Sequence, residues 1–112
     1  MSDLHTVFMS LRATPTWLAL EPKDRFAFLE AEIVPILRRH AGVRLRFFDA
    51  EAYSADVSDV AVWETDDLRA YRKLVDDLRE TRFWGAYFDV VGIVPAVEND
   101  YARSYGRAPL AA

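Results

Sequence analysis

The chain has 112 residues, of which 52% are hydrophobic and 13% aromatic, so it is long and apolar enough for one domain with its own core. A formal net charge of −4 provides no electrostatic footprint for nucleic acid, and the lack of cysteine excludes disulfides, thiol nucleophiles and thiolate metal sites. No apolar run is long enough to span a bilayer. We therefore expect a cytoplasmic protein with neither a nucleic-acid nor a membrane partner.

The hydrophobic period changes in a regular order along the chain. Residues 4–13, rich in large and β-branched side chains, predict a first strand that ends before Pro15. From Pro22 to Gly42, apolar residues at three- and four-residue steps predict a helix, which Pro35 kinks or splits. Strands two and three are predicted at residues 43–50 and 57–64.

The second half of the chain repeats this order. Residues 65–67, "TDD", provide an N-cap and first-turn acids for a second helix, in which Leu68, Tyr71, Leu74 and Leu78 recur at helical spacing. Residues 86–97 predict a fourth strand, at an edge of the sheet because Pro95 cannot donate a ladder hydrogen bond. Residues 98–112 are expected to form a surface tail.

The order βαββαβ predicts an α+β fold over residues 1–112 as a single domain. Short connections and right-handed crossovers fold it into a four-stranded antiparallel sheet, in the order 4-1-3-2, with two helices on one face: the ferredoxin-like arrangement. Its other face must be either solvated or covered by another chain.

The hairpin register decides which residues occupy that other face. We place residue 46 opposite residue 61, because this register keeps Arg46 and Asp59 together as oppositely charged neighbours. Phe48 and Trp63 then lie on the same face as Arg46 and Asp59. This face is too aromatic to be solvated and too charged to be a core. The prediction is a homodimer through the sheet, with these four residues at the interface.

A candidate small-molecule site lies at one edge of the predicted sheet, where strands one and two end and strands three and four begin. This edge combines ring surface, a cation, carboxylates and hydroxyls, as a ligand pocket requires. Its residues are Arg12, Trp17, Asp49, Tyr53, Ser58, Asp59, Trp84 and Tyr87. Trp17, Ser58, Trp84 and Tyr87 are the candidate substrate contacts; for the two tryptophans, a role as lids that close the core is the favoured alternative.

Four residues are candidates for catalysis. Asp49 falls on the apolar face, where a carboxyl needs a partner or a raised pKa, and a raised pKa suits a general base. Arg12 would hold an anionic oxygen, and Tyr53 or Tyr87 would donate a hydrogen bond to an enolate. His5 is either a packed residue at the start of strand one or a catalytic or haem-ligating one. No grouping has the spacing of a metal site, so we expect no metal and no cofactor.

Three stretches carry a family resemblance: "TVFMSLRATPTWLAL", "RFFDAEAYSADVSDVAVWETDD" and "YFDVVGIVPAVE". Together they resemble the darcynin family of small bacterial proteins over most of the chain, from Thr6 to Tyr101. Darcynins are similar to the dimeric α+β barrel superfamily, in which two ferredoxin-like units pack sheet to sheet. That superfamily includes cofactor-independent monooxygenases, muconolactone isomerases and haem-degrading monooxygenases. The resemblance implies a dimeric α+β barrel but assigns no catalytic residue.

Three functions remain open from the sequence. The first is a cofactor-independent enzyme that moves a proton on an enolisable aromatic or polyketide-like substrate, as an isomerase, cyclase or oxygenase. The second is a non-catalytic small-molecule-binding dimer that uses the same pocket. The third is a haem-binding or haem-degrading protein that uses His5.

Overall fold

The computed structural model describes residues 4–112, which form one four-stranded antiparallel sheet with helices packed on one face. The elements in chain order are β1 (His5–Ala13), α1 (Pro15–Leu18), α2 (Pro22–Phe28), a π-helical turn (Leu29–Ile33), α3 (Val34–Arg39), β2 (Arg44–Asp49), β3 (Asp59–Thr65), α4 (Leu68–Arg79), β4 (Phe88–Val97) and α5 (Asp100–Ser104). The spatial order of the strands is β2-β3-β1-β4. The predicted ferredoxin-like fold is therefore confirmed, with Pro95 on the edge strand β4.

The helix between β1 and β2 is divided at Pro35. The π-helical turn immediately precedes α3, and Pro35 occupies the first turn of α3. Because the proline ring has no N–H group and crowds the preceding turn, a widened turn accommodates it without ending the helix. The division predicted from the sequence is confirmed.

A short helix that the sequence did not predict, α1, follows β1. The hydroxyl oxygen of Thr14 caps it by accepting a hydrogen bond from the Trp17 N–H, at 3.3 Å. The same hydroxyl donates to the Ala86 carbonyl at 2.6 Å, just before β4. Thr14 thereby fixes α1 against the start of β4 and turns Trp17 inward, where it is buried.

The core lies between the sheet and the helices. Alternate residues of β1, namely Val7, Met9 and Leu11, are fully buried, as expected for a strand with one covered face. From α4, Leu74 and Leu78 pack into the same cluster. Asp67 caps α4 by accepting a hydrogen bond from the Arg69 N–H at 2.9 Å, which confirms the predicted start of this helix.

The predicted register of the β2–β3 hairpin is wrong by one residue. Residue 46 pairs with Val62, and residue 61 pairs with Phe47. Because side chains alternate along a strand, this slip transfers every β3 side chain to the opposite face. Asp59 and Trp63 consequently lie on the helix-covered face and not on the predicted interface.

Burial of the Trp63 indole explains the true register. Trp63 is 2% exposed and belongs to the same core cluster as Val7 and Met9 of the neighbouring strand. Removing an aromatic side chain from water stabilises the fold by about 2 to 3 kcal/mol. An exposed ion pair contributes about 0 to 1 kcal/mol. The charge pairing on which the predicted register was based therefore stabilises the hairpin less than burial of Trp63 does.

The opposite face of the sheet is largely uncovered within residues 4–112, where α5 reaches only its margin, with Arg103 beside Thr6 and Phe8. Its central row runs across all four strands through Arg46, Val62, Phe8 and Val94. Phe8 remains 43% exposed and Val94 60% exposed. We call this surface the open face; Arg46 and Phe48 lie on it as predicted.

The C-terminal segment, expected to be a surface tail, begins with the short helix α5. Within and just after α5, the rings of Tyr101 and Tyr105 lie one turn apart with centroids separated by 5.1 Å. Asn99 adopts a left-handed backbone conformation, with φ of 38°, where the chain turns from β4 into this helix. Across residues 4–112, no helix combines the length and the apolar character required to cross a membrane.

Candidate functional site

An apolar cavity of about 270 Å³ lies between the helix-covered face of the sheet and the helices. We call it the inner cavity. Its lining residues, all with apolar or aromatic side chains, are Trp17, Leu29, Ile33, Val34, Leu37, Leu45, Phe47, Ala61, Trp63, Leu78, Phe83 and Phe88. A cavity of this composition suits an apolar ring system and excludes a strongly hydrated ligand.

A second, more polar cavity of about 440 Å³ adjoins the inner cavity, with which it shares Trp17, Leu29, Phe47 and Phe88. We call it the outer cleft. It opens at the predicted edge, where β2 ends and β3 begins. Its polar lining consists of Arg25, Asp49, Glu51, Ser58 and Asp59. The two spaces together form an apolar chamber with a charged mouth.

One carboxyl in this mouth, that of Asp59, has a raised pKa. The residue is 9% exposed, and its carboxylate accepts a hydrogen bond from the Ser58 hydroxyl at 2.8 Å. Burial raises the pKa of Asp59 from 3.8 to about 6, with smaller increases from Asp49 and Glu51; the Ser58 hydrogen bond opposes them. Asp59 therefore titrates close to neutral pH, which the sequence analysis had expected of Asp49.

Asp49 and Asp59 are direct partners across the hairpin, and Glu51 follows in the loop. One carboxylate oxygen from each of these three residues lies within 4.8 Å of the others. Like charges this close favour retention of a proton on one of them, and three carboxylates could alternatively hold a divalent cation. Sequence spacing did not reveal this grouping, because the hairpin register creates it.

Ser58 holds the start of β3 against β1. Its N–H donates to the Leu11 carbonyl at 2.8 Å, and its hydroxyl oxygen accepts from the Ala13 N–H at 2.7 Å. The hydroxyl hydrogen then has two acceptors within reach, the Leu11 carbonyl at 3.3 Å and the Asp59 carboxylate at 2.8 Å, and the contact to Asp59 is the shorter. Ser58 lines the outer cleft, as predicted for a substrate contact, but its hydroxyl orients Asp59.

Trp17 forms part of the wall shared by the two cavities. The Arg25 guanidinium lies 5.8 Å from the Trp17 ring centroid and donates to the carbonyls of Trp17 and Leu18, at 3.2 and 2.9 Å. Arg25 is thus the cation of the outer cleft. The sequence analysis missed it, because an arginine in the first turns of an amphipathic helix is usually a solvated residue.

Tyr87 supports this wall from behind. Its ring lies 5.2 Å from Trp17 and 4.8 Å from Phe28, measured between centroids, and it does not line either cavity. The Arg82 guanidinium covers the ring at 5.0 Å. Tyr87 therefore packs the aromatic wall and does not fit the predicted role of a donor to substrate.

Three other predicted site residues lie outside both cavities. Arg12 donates to the Asp56 carbonyl at 2.9 Å and so ties the β2–β3 loop to β1. Tyr53, in that loop, is 93% exposed. Trp84 packs at the margin of the core beneath Arg79, whose guanidinium is 5.3 Å from its ring.

Neither histidine lies near these cavities. His5 pairs with Thr65 and Val97, at the opposite end of β1 from the outer cleft. His40 lies 2.6 Å from the Asp77 carboxylate and links the end of α3 to α4. With no histidine in the lining of either cavity, these residues do not fit an axial-ligand role for haem at this site.

Trp63 contributes a feature that could not be predicted from the sequence. The indole lines the inner cavity, yet its Nε1 is buried without a hydrogen-bond acceptor within residues 4–112. The neighbouring Tyr71 hydroxyl is also buried without a partner there, with the two rings 6.4 Å apart. A buried donor without an acceptor is uncommon in native proteins and calls for a partner.

Comparison with solved structures shows what fold surrounds this site. A chlorite dismutase variant from Candidatus Nitrospira defluvii superposes with a TM-score of 0.75 at 15% sequence identity, covering 96% of this chain and 45% of that one. Another variant of the same protein gives a TM-score of 0.73 at 15% identity, covering 95% and 44%. The present chain thus spans less than half the length of these structures, and the likeness establishes the fold alone.

Sequence relatives are much closer. A darcynin homolog from Granulibacter bethesdensis is 52% identical over 103 residues, covering 91% of this chain and 83% of the relative. Another from Streptomyces avermitilis is 49% identical over 107 residues, covering 95% and 88%. The family described as "Darcynin, domain of unknown function" matches residues 2–112. This chain belongs to the darcynin family.

Proposed function

We propose that this protein binds a small aromatic or polyketide-like molecule in the inner cavity and that the Asp59 carboxylate removes a proton from it. The observation that carries the proposal is the position of Asp59, a carboxyl with a pKa of about 6 at the mouth of an entirely apolar chamber. A base whose pKa lies near the working pH is both ionised and basic enough to accept a proton from carbon or oxygen.

The dimensions of the cavities limit the ligand. The inner cavity, at about 270 Å³, lies at the lower end of the range of about 300 to 1,000 Å³ that is usual for small-molecule pockets. It suits a molecule of one or two fused rings. The adjoining outer cleft leaves room for a polar substituent beside Arg25 and the carboxylates.

Arg25 takes the role that the sequence analysis gave to Arg12. Its guanidinium has five N–H donors, of which two are directed to the carbonyls of Trp17 and Leu18. The others can meet an anionic oxygen at the mouth. When a C–H proton passes to Asp59, the electron pair of that bond moves to the substrate carbonyl, and a fixed cation stabilises the resulting enolate.

In the isomerase or cyclase form of this reaction, Asp59 returns its proton to another atom of the same molecule, so no co-reactant is consumed. The oxygenase form would require dioxygen as a second substrate. The proton-transfer step is common to all three and can be tested alone.

The test measures hydrogen–deuterium exchange of 2-tetralone, a two-ring ketone with an acidic C–H, in D₂O by proton NMR. We expect exchange above the buffer rate, a rise with pH through about 6, and a loss of at least about 100-fold in Asp59→Asn. Asp56→Asn is the matched control, since Asp56 lies in the loop just before Asp59, is exposed and does not line the cleft. Equal exchange in wild type and Asp59→Asn would refute the role of Asp59.

The second candidate is binding without turnover, and the entirely apolar inner lining favours it. Chemical-shift changes on addition of 2-tetralone, without protein-dependent exchange, would support binding alone. Haem binding is known for this fold and is the third candidate. The positions of His5 and His40 argue against it here; a Soret shift on titration with haemin that is lost in His5→Ala would reverse that judgement.

We also propose that two copies pair through the open face. Phe8, Phe48 and Val94 leave apolar surface exposed there, and Arg46 lies 5.1 Å from the Phe48 ring. Arg44 also lies opposite Glu64 across the hairpin, on the open face. Each copy therefore presents a positive and a negative side chain that can pair with the opposite charge of the other copy. The solved structures, at more than twice this length, have room for a second unit of the same size.

A further inference from the structure

Phe47 is half exposed although it lies on the helix-covered face of the sheet. It pairs with Ala61 of β3, which in turn pairs with Met9 of β1. Ala61 and Met9 are 1% and 0% exposed, whereas Phe47 is 45% exposed, about as much as Phe48 on the open face, at 42%. The helices therefore cover the middle of this row and leave the ring of Phe47 accessible.

The accessible ring lies where the inner cavity meets the outer cleft. The wall shared by these two spaces contains three aromatic rings, of which Trp17 and Phe88 pack on each other with centroids 5.0 Å apart. Within residues 4–112, neither an aromatic ring nor a guanidinium is stacked on Phe47. Phe47 thus presents a free aromatic surface between the apolar chamber and its charged mouth.

We infer that Phe47 is the platform on which an aromatic ring of the ligand stacks, and that this contact holds the edge of the ligand ring beside Asp59. The inference rests on the proposed function, because it names the class of molecule that the site takes. Two rings in an offset stack attract each other beyond the effect of apolar burial, so the platform favours an aromatic ligand over a saturated one of similar size.

The hairpin register places the platform next to the base. Asp59 is two residues before Ala61 on the same face of β3, so it is the diagonal neighbour of Phe47. Such neighbours in an antiparallel pair are about 7 to 8 Å apart, within reach of an aromatic side chain. A ligand ring stacked on Phe47 can therefore direct one edge to the Asp59 carboxylate.

This position selects the C–H bond that is broken. Asp59 and Arg25 both line the outer cleft, beyond the platform. The acidic C–H therefore lies on the carbon that joins the ring to a carbonyl group. Asp59 takes the proton, and the electron pair of the C–H bond moves to the carbonyl oxygen beside Arg25. The substrate class is an aryl ketone whose acidic carbon lies between ring and carbonyl.

The test compares 2-tetralone with 2-decalone, which has the same carbon skeleton without the aromatic ring. Dissociation constants are measured by calorimetry. We expect the wild type to bind 2-tetralone about two- to tenfold more tightly. Phe47→Leu should lose this preference, while Phe48→Leu, which alters the equally exposed neighbour on the open face, should keep it.

The outcomes distinguish this inference from the proposed function. Equal affinities of the two ketones for the wild type, or an unchanged preference in Phe47→Leu, would overturn the inference and leave the proposed function standing. A failure of both ketones to bind the wild type would overturn both.

A second set of measurements separates stacking from a general effect on the fold. Phe47→Tyr retains an aromatic ring and should retain the preference for 2-tetralone. Phe47→Leu should raise the KM for hydrogen–deuterium exchange of 2-tetralone, with the pH dependence of the wild type, because the carboxyls around Asp59 are unchanged. Loss of the preference in Phe47→Tyr, or a shifted pH dependence in Phe47→Leu, would refute the role of Phe47 as a platform.

Discussion

Asp49 and Asp59 are the last paired residues of the β2–β3 ladder, and both carboxylates open into the same cleft. Asp59 is buried while Asp49 is exposed, so the two identical groups occupy different environments. Burial, together with the adjacent charge, raises the pKa of Asp59 to about 6. Two carboxyls held this way can take different roles in a site: Asp59 titrates near neutrality, and Asp49 adds to the increase in pKa that burial causes.

The first prediction concerns stability and pH. Since the folded-state pKa of Asp59, about 6, is above the ordinary value of 3.8, the contribution of Asp59 is fully favourable below pH 3.8 and is lost as the pH rises through 6. Asp59→Asn mimics the protonated form. It should stabilise the protein at pH 8 by about 1 to 2 kcal/mol, allowing for the nearby solvent, and change little at pH 4.

Urea unfolding of wild type, Asp59→Asn and the control Asp56→Asn at both pH values measures this. The opposite outcome, destabilisation by Asp59→Asn at pH 8, would follow from the incorrect register, in which Asp59 is the charged neighbour of Arg46. It would contradict the present placement of Asp59.

The second prediction concerns the partner of Asp59. Asp49 raises the pKa of Asp59 both by hydrogen bonding and by its charge. Asp49→Asn should therefore move the pKa of Asp59 from about 6 toward 3.8, but not all the way, because burial is the larger cause. Glu51→Gln should shift it less. Carboxyl ¹³C chemical shifts followed against pH give these values directly, and an unchanged titration of Asp59 in Asp49→Asn would argue against coupling.

The third prediction concerns assembly. If the open face pairs two copies, Phe8→Asp buries a charge without a partner there and should yield a monomer at micromolar concentration. Phe26→Asp is the control, because Phe26 is even more exposed than Phe8, at 64% against 43%, but lies on α2, on the other side of the sheet. Sedimentation velocity distinguishes these forms. A wild-type monomer would exclude pairing through the open face at this concentration.

The fourth prediction concerns the C-terminal segment. Within residues 107–112, the Leu110 N–H donates to the Asn99 side chain and the Arg107 N–H donates to the Ala102 carbonyl, so these contacts are local, and the Leu110 side chain is 89% exposed. Deleting residues 107–112 should change the free energy of unfolding by less than about 0.5 kcal/mol. Thermal denaturation checks this, and a large fall in Tm would show that the segment packs on the body or on a partner chain.

The sequence by itself determined the architecture. Changes in hydrophobic period predicted all four strands and both main helices, Pro35 marked the division of the first helix, and Pro95 marked an edge strand. These features are local, because each depends on spacing or on backbone restrictions within a few residues. The sequence also located the edge of the sheet where Trp17, Asp49 and Ser58 meet.

Only the tertiary structure decided which residues share that site. Period-two alternation permits two hairpin registers that differ by one residue, and the choice between them depends on which side chains gain most from burial across strands. Packing of Trp63 against the core selects the register, and this brings Asp59 beside Asp49 and directs it into the cleft. Arg25 reaches the same cleft from a helix distant in sequence. The pKa of Asp59 follows from these neighbours and its burial, neither of which is encoded in any local stretch of the chain.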